Sequence, residues 1–201
     1  MKKTLLLIGS TLLCLVSLPG IAGNWGLGGY LGYYSLNNEK AKQEGIDDTA
    51  LALGFIADYH SDSLLTTTFG AEILFYDDNN SFSQQVEVVG GFDDGDIRTE
   101  SSDANAFTVY FETGPRWNLG SNEEAYISLK GGVETVFLSE RSISLCSDCR
   151  EEDIDIDGGL YLTAAIVRNL NHVSIGFHYQ QFLDDDDGLE SGLRFVVGAT
   201  F

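Results

Sequence analysis

Residues 192–201 read GLRFVVGATF. Leu193, Phe195, Val197, Ala199 and Phe201 share one parity, and Gly192, Arg194, Val196, Gly198 and Thr200 the other. Strict alternation with aromatics on the apolar parity predicts a strand with one greasy face. A strand must satisfy its backbone donors and acceptors against a neighbour, and no residue follows Phe201. Its partners are therefore expected earlier in the chain, the first strand among them.

Working back from there, seven more alternating segments come before it. They are Asn24–Leu36, Thr49–His60, Leu64–Tyr76, Asn105–Trp117, Ala125–Leu138, Gly158–Val167 and Val173–Phe182. Each has about the length that a tilted strand needs to cross a bilayer. The connections alternate. Asn37–Asp48, Asp77–Ala104, Ser139–Asp157 and Leu183–Glu190 are long and polar, whereas Ser61–Ser63, Asn118–Glu124 and Arg168–His172 are short. One parity is apolar and uncharged throughout, as in Leu51, Leu53 and Phe55, or Phe107, Val109 and Phe111. The other carries Asp58, Thr66, Thr68, Glu72, Tyr110, Glu112, Arg116, Ser128, Lys130, Glu134, His178 and Arg194. Charges on one face against an unbroken apolar face suit a barrel with lipid outside and a polar lumen inside. A soluble barrel would reverse that burial. Trp25, Tyr59 and Trp117 fall at the short-turn ends, and Tyr33, Phe75, Phe107, Phe137 and Tyr179 near the long-loop ends, as two aromatic girdles would. The fold expected is all-β: a transmembrane antiparallel up-and-down β-barrel of eight strands.

Residues 1–22 are set apart. Lys2 and Lys3 precede an apolar run from Thr4 to Leu18, and Pro19 then leads to Gly20-Ile21-Ala22, small residues at −3 and −1 of a cut before Gly23. This is the pattern of a secretory signal peptide, and 23–201 are expected to form the barrel domain. Of 11 Lys and Arg, 9 remain beyond Lys2 and Lys3 against 31 acidic residues, a formal charge of −22. Such a surface repels phosphates and argues against a nucleic-acid partner.

The final ten residues resemble the C-terminal insertion signal of bacterial outer-membrane barrels, carried by Leu193, Phe195, Val197, Ala199 and Phe201. Segments 23–201 as a whole are similar to the small eight-stranded barrels of the outer-membrane protein A transmembrane-domain type. The resemblance implies the outer membrane of a Gram-negative bacterium, periplasmic termini and insertion by the outer-membrane assembly machinery. It also implies contact with membrane lipid and lipopolysaccharide, and no periplasmic domain after Phe201. Eight strands leave an interior that side chains can fill, so a wide diffusion pore is not expected.

Within that lumen Asp58, Glu112, Arg116 and Lys130 are expected low, and Glu72, Glu134, His178 and Arg194 high. Unpaired charges there would be costly, so they should form ion pairs, either as a static plug or as a gate. Lipid A deacylases are eight-stranded barrels with a His-x-Ser motif. Here His178-Tyr179-Gln180 has an amide at the nucleophile's place, and His172-Val173-Ser174 lies at the wrong end for the outer leaflet. Catalytic residues are therefore not assigned, nor is any cofactor. Asp153-Ile154-Asp155-Ile156-Asp157-Gly158 starts like a calcium loop but has Ala164 where the motif requires Glu. The four long loops hold 24 of the 31 acidic residues. These form a solvated rim, and they also offer oxygen ligands for Ca²⁺ or Mg²⁺ shared with lipopolysaccharide phosphates.

Phe137, Ser139, Arg141, Ile143 and Leu145 continue one parity beyond the fifth strand, and Ile154 and Ile156 keep the parity of Leu160. The two arms are expected to pair as a protruding hairpin with Cys146-Ser147-Asp148-Cys149 near its tip. A four-residue turn brings its ends within disulfide range, and an exported location is oxidising. A Cys146–Cys149 disulfide is the expectation.

Overall fold

The computed structural model describes residues 23–61, 64–87, 95, 97–120, 124–143, 149–170, 172–183 and 188–200. The signal-peptide segment, Leu145, Cys146, Asp184–Asp187 and Phe201 lie outside these residues. Eight long strands form a closed antiparallel barrel. They are β1 (Gly23–Leu36), β2 (Ile46–Ser61), β3 (Leu65–Asp78), β6 (Asp103–Leu119), β7 (Ala125–Ser142), β9 (Gly159–Leu170), β10 (Val173–Phe182) and β11 (Leu189–Thr200). Each pairs with its neighbours in chain order, and β11 closes the circle on β1, with Leu31 opposite Phe195 and Tyr33 opposite Leu193. Closure satisfies the ladder of the last strand and leaves no long barrel strand with a free edge.

The outside of the barrel is apolar. Leu31, Leu53, Phe55, Phe111, Leu129, Phe177 and Val197 are all exposed, as are Tyr33, Phe75, Trp117, Phe137 and Tyr179 among the girdle aromatics. A continuous band of this kind far exceeds the apolar patches that water-soluble monomers tolerate. The medium against it is lipid, and a closed barrel is one of the two architectures that satisfy every backbone group there. The chain is a transmembrane β-barrel.

The long-loop end carries structure that alternation alone did not reveal. Helix α1 (Asn38–Glu44) follows β1. The Asn37 side chain accepts from the backbone N–H groups of Glu39 and Lys40, and Gly45 ends the helix in the left-handed region at φ 72°. Asn before a run of strong helix formers, then Gly, is an N-cap and C-cap pair that the sequence does display. The loop after β3 contains the separate hairpin of β4 (Ser83–Glu87) and β5 (Ile97–Ser101). Strand β8 (Glu151–Asp153) pairs with Glu140–Ser142 of β7, so the fifth and sixth segments do approach each other above the membrane.

The parity expected for that protrusion is overturned. The ladder matches Phe107 with Leu138 and Thr108 with Val136, leaving Phe137 as an extra residue. Phe137 and Leu138 are both exposed, and inward parity resumes at Ser139, so Arg141 and Ile143 are buried rather than outward. On the return arm Ile154 and Ile156 are also buried, whereas Leu160 is exposed. The change occurs across Gly158-Gly159. The reason is the solvent. Within the bilayer apolar side chains face out to lipid, but above it the exterior is water, so the strand must turn its apolar side inward. A one-residue bulge does this.

These inward residues build a second core at the long-loop end. Leu36, Ala41, Ile46, Leu74, Tyr76, Ile154, Ile156, Phe182 and Leu189 belong to one buried cluster that continues down to Tyr30, Tyr34 and Tyr110 in the lumen. The upper lumen is therefore an apolar cap and not the polar filling expected along the whole barrel.

Candidate functional site

Arg194 of β11 is central to the lumen and fully buried. Its Nη2 donates to Glu72 of β3 and to Glu134 of β7, each at 3.3 Å, and its Nε donates to the Tyr34 hydroxyl at 2.7 Å. Its guanidinium carbon lies 3.9 Å from the Tyr110 ring centroid and 5.0 Å from that of Tyr30. Ring contacts and hydrogen bonds together hold the planar cation. Tyr30 donates to Glu72 at 2.6 Å, Thr108 to Glu134 at 2.9 Å, and Tyr34 to Gln180 at 2.9 Å. Gly54 and Gly70 allow this filling: a Cβ at either would collide with the ring of Tyr30 or Tyr110.

A second layer lies toward the short turns. Lys130 of β7 is ion-paired with Glu112 of β6 and donates to Thr68 at 2.8 Å. Thr68 in turn donates to Asp58 at 2.5 Å, and Thr163 to Glu112 at 2.8 Å. His178 is buried and sits opposite Arg194 in the β10–β11 ladder. Asp58 and Arg116 are half-buried and make no ion pair among the described residues. All eight charged or titratable residues singled out in the sequence thus point inward, six of them buried and five joined in two ion-paired groups. Sequence reading missed their neutral partners, Tyr30, Tyr34, Thr108, Thr163 and Gln180. Each shares Arg194's inward parity, a signal that was present but gave no ranking.

Below the second layer the lumen opens toward the short turns as a cavity of about 300 Å³. Asp58, His60, Arg116, Tyr126, His172 and Ser174 are among its lining residues. The Tyr126 ring lies 5.8 Å from that of His60 and 5.7 Å from the Arg116 guanidinium carbon. His60 Nδ1 and Thr66 Oγ1 are 3.0 Å apart.

At the opposite end Arg141 ties three loops together. It meets Asp78 through Nε at 2.7 Å, Glu152 through Nη1 at 3.1 Å and the carbonyl of Glu44 through Nη2 at 3.0 Å. The Asp78 hydrogen bonds raise the guanidinium's pKa above its ordinary value, burial opposing them. Lys40 of α1 donates to Asp155 at 2.5 Å, so one acid of the calcium-like stretch is held by a lysine. Among the described residues no cluster of three or more metal-ligating side chains is present. Cys149 is disulfide-bonded, and Arg150 beside it lies over the Phe82 ring at 4.9 Å, next to the β4–β5 hairpin. His178 and Gln180 both face the buried lumen, and His172 and Ser174 line the short-turn cavity.

No family model matches the chain, and no curated protein matches it. Among solved structures it is similar to Ail, the attachment invasion locus protein of Yersinia pestis, whose crystal structure was solved in complex with the heparin analogue sucrose octasulfate. The identity is 12%, the match covers 89% of this chain and 99% of that one, and the TM-score is 0.51. At that identity the likeness concerns the fold, and the two chains share a closed β-barrel.

Proposed function

We propose that this chain is a surface-interaction barrel: a plugged, non-conducting membrane anchor that presents a fixed acidic platform to the cell exterior. The observation that carries this reading is the closed long-loop end. The apolar cap and the Arg141 ties hold three loops as one body above a lumen whose central residues are buried. A pore would instead leave a column of small, wet side chains. Attachment is the role named for the similar Yersinia protein, which takes a sulfated polyanion. Here the platform is acidic, so the partner class inverts: basic protein surfaces, or divalent cations shared with lipopolysaccharide phosphates. Insertion through the terminal strand by the assembly machinery and a Cys146–Cys149 disulfide belong to the same reading.

The test uses the full barrel in lipid nanodiscs on a sensor surface. It should bind immobilised polylysine with a steep salt dependence and leave heparin unbound. In planar bilayers it should give no unitary conductance steps. Heparin binding, or regular conductance steps, would overturn the proposal.

A further inference from the structure

We propose that the cavity at the short-turn end is a binding site for a small linear zwitterion of dipeptide size, its amine held by Asp58 and its carboxylate by Arg116. The argument starts from charge pairing. Among the described residues, the cations Lys130 and Arg194 inside the barrel each have a glutamate partner, while Arg116 has none. It rests instead beside the Tyr126 ring. Asp58 likewise lacks an ion pair among the described residues, where its side chain accepts one hydrogen bond, from Thr68. Both line the same cavity of about 300 Å³, the lower end of the range for small-molecule sites.

The two charges stand apart on the wall of that cavity. Asp58 pairs with Thr68, and Thr68 with Glu112, and Arg116 lies four residues beyond Glu112 along β6 toward the turn. Their backbones are thus two ladder steps apart and offset by about 14 Å of strand at ~3.4 Å per residue. With both side chains lining the space between, the pair suits a ligand whose charges are about 7 Å apart, the span of two extended residues. A simple anion would meet Asp58, and a simple cation would leave Arg116 unmatched. His60, His172 and Ser174 supply hydrogen-bonding groups along the wall. This site is at the opposite end from the acidic platform and stands or falls independently of it.

The experiment is an NMR titration of the folded full barrel in micelles with alanyl-alanine, its N-acetyl derivative and its C-terminal amide. Saturable shifts at Asp58, His60 and Tyr126 are expected for the dipeptide, with each capped derivative bound about tenfold or more weakly, the loss of one charged hydrogen bond. Arg116→Gln and Asp58→Asn should each cause a similar drop, with folding checked by heat-resistant gel migration. Equal binding of the N-acetyl derivative would show a plain anion site and overturn the proposal, as equal binding of the amide would show a plain cation site. Absence of any saturable shift would leave a solvent vestibule only and also overturn it. The ligand-side comparison decides the question even if a variant fails to fold.

Discussion

The middle of the barrel and its long-loop end are built from the same strands with opposite chemistry. In the membrane, the inward side chains are Arg194, Glu72, Glu134, Lys130 and Glu112, and the outward ones are Leu53, Phe111 and Val197. Above it, the inward side chains are Leu36, Ile46, Ile154 and Ile156, and the outward ones include Asp47, Asp48, Asp77 and Asp155. The difference teaches that alternation encodes two faces but not which is inside. The surrounding medium decides that, and the chain changes parity where the medium changes, at Phe137 on one arm and at Gly158-Gly159 on the other.

The comparison predicts the largest effect in the polar half. Arg194→Ala would leave Glu72 and Glu134 buried side by side without their cation. Breaking such a group costs about 3–5 kcal/mol, measurable by urea unfolding in lipid vesicles. A loss below about 1 kcal/mol would mean that the layer is not a bonded unit. In the apolar half, Ile156→Ala should cost about 2–5 kcal/mol of cap stability as a core truncation. The cost should appear as faster proteolysis of the long loops, with the barrel still resistant to heat. If the barrel itself loses heat resistance, the two regions are one cooperative unit and the division fails.

Outward positions sharpen the contrast. Phe111→Lys faces lipid and should cost about 2–4 kcal/mol near the midplane. Ile97→Lys, on the β4–β5 hairpin where residue 97 is 69% exposed, should change stability by no more than about 0.5 kcal/mol. Equal penalties would place the hairpin in the membrane or the barrel outside it. A purely local effect is expected for Cys149→Ser, whose proposed partner is Cys146. Opening so short a loop removes about 2 kcal/mol at most in the chain-entropy model, confined to the tip near Arg150 and Phe82. Thiol labelling of intact cells should be slow in the parent protein, and it would be rapid at both cysteines if they were free.

Much of the barrel was legible because lipid imposes a strict rule. Every second residue across ten or so positions must be apolar, and eight segments of 23–201 obey it, including GLRFVVGATF. The terminal strand's pairing with β1 followed from the need to satisfy its backbone. The same rule fails at residues 139–143 and 154–156, which lie past the point at which lipid ends. Helix α1 has its signal in Asn37 and Gly45, but it buries only Ala41, so no apolar periodicity marks it within a polar stretch between strands.

By itself the sequence determined where the eight long segments run, the two faces of each and which charges share the interior. These depend on local periodicity, and periodicity is written residue by residue. Which charge meets which was left to the tertiary structure. Arg194 reaches Glu72 and Glu134, 122 and 60 residues away, and only the ladder register and the closing of the barrel set those distances. The same closure leaves Arg116 and Asp58 facing one cavity without touching, and brings Arg141 under three loops. Contacts across a barrel are made between strands that are not neighbours in the ladder, so no pattern along the chain could specify them.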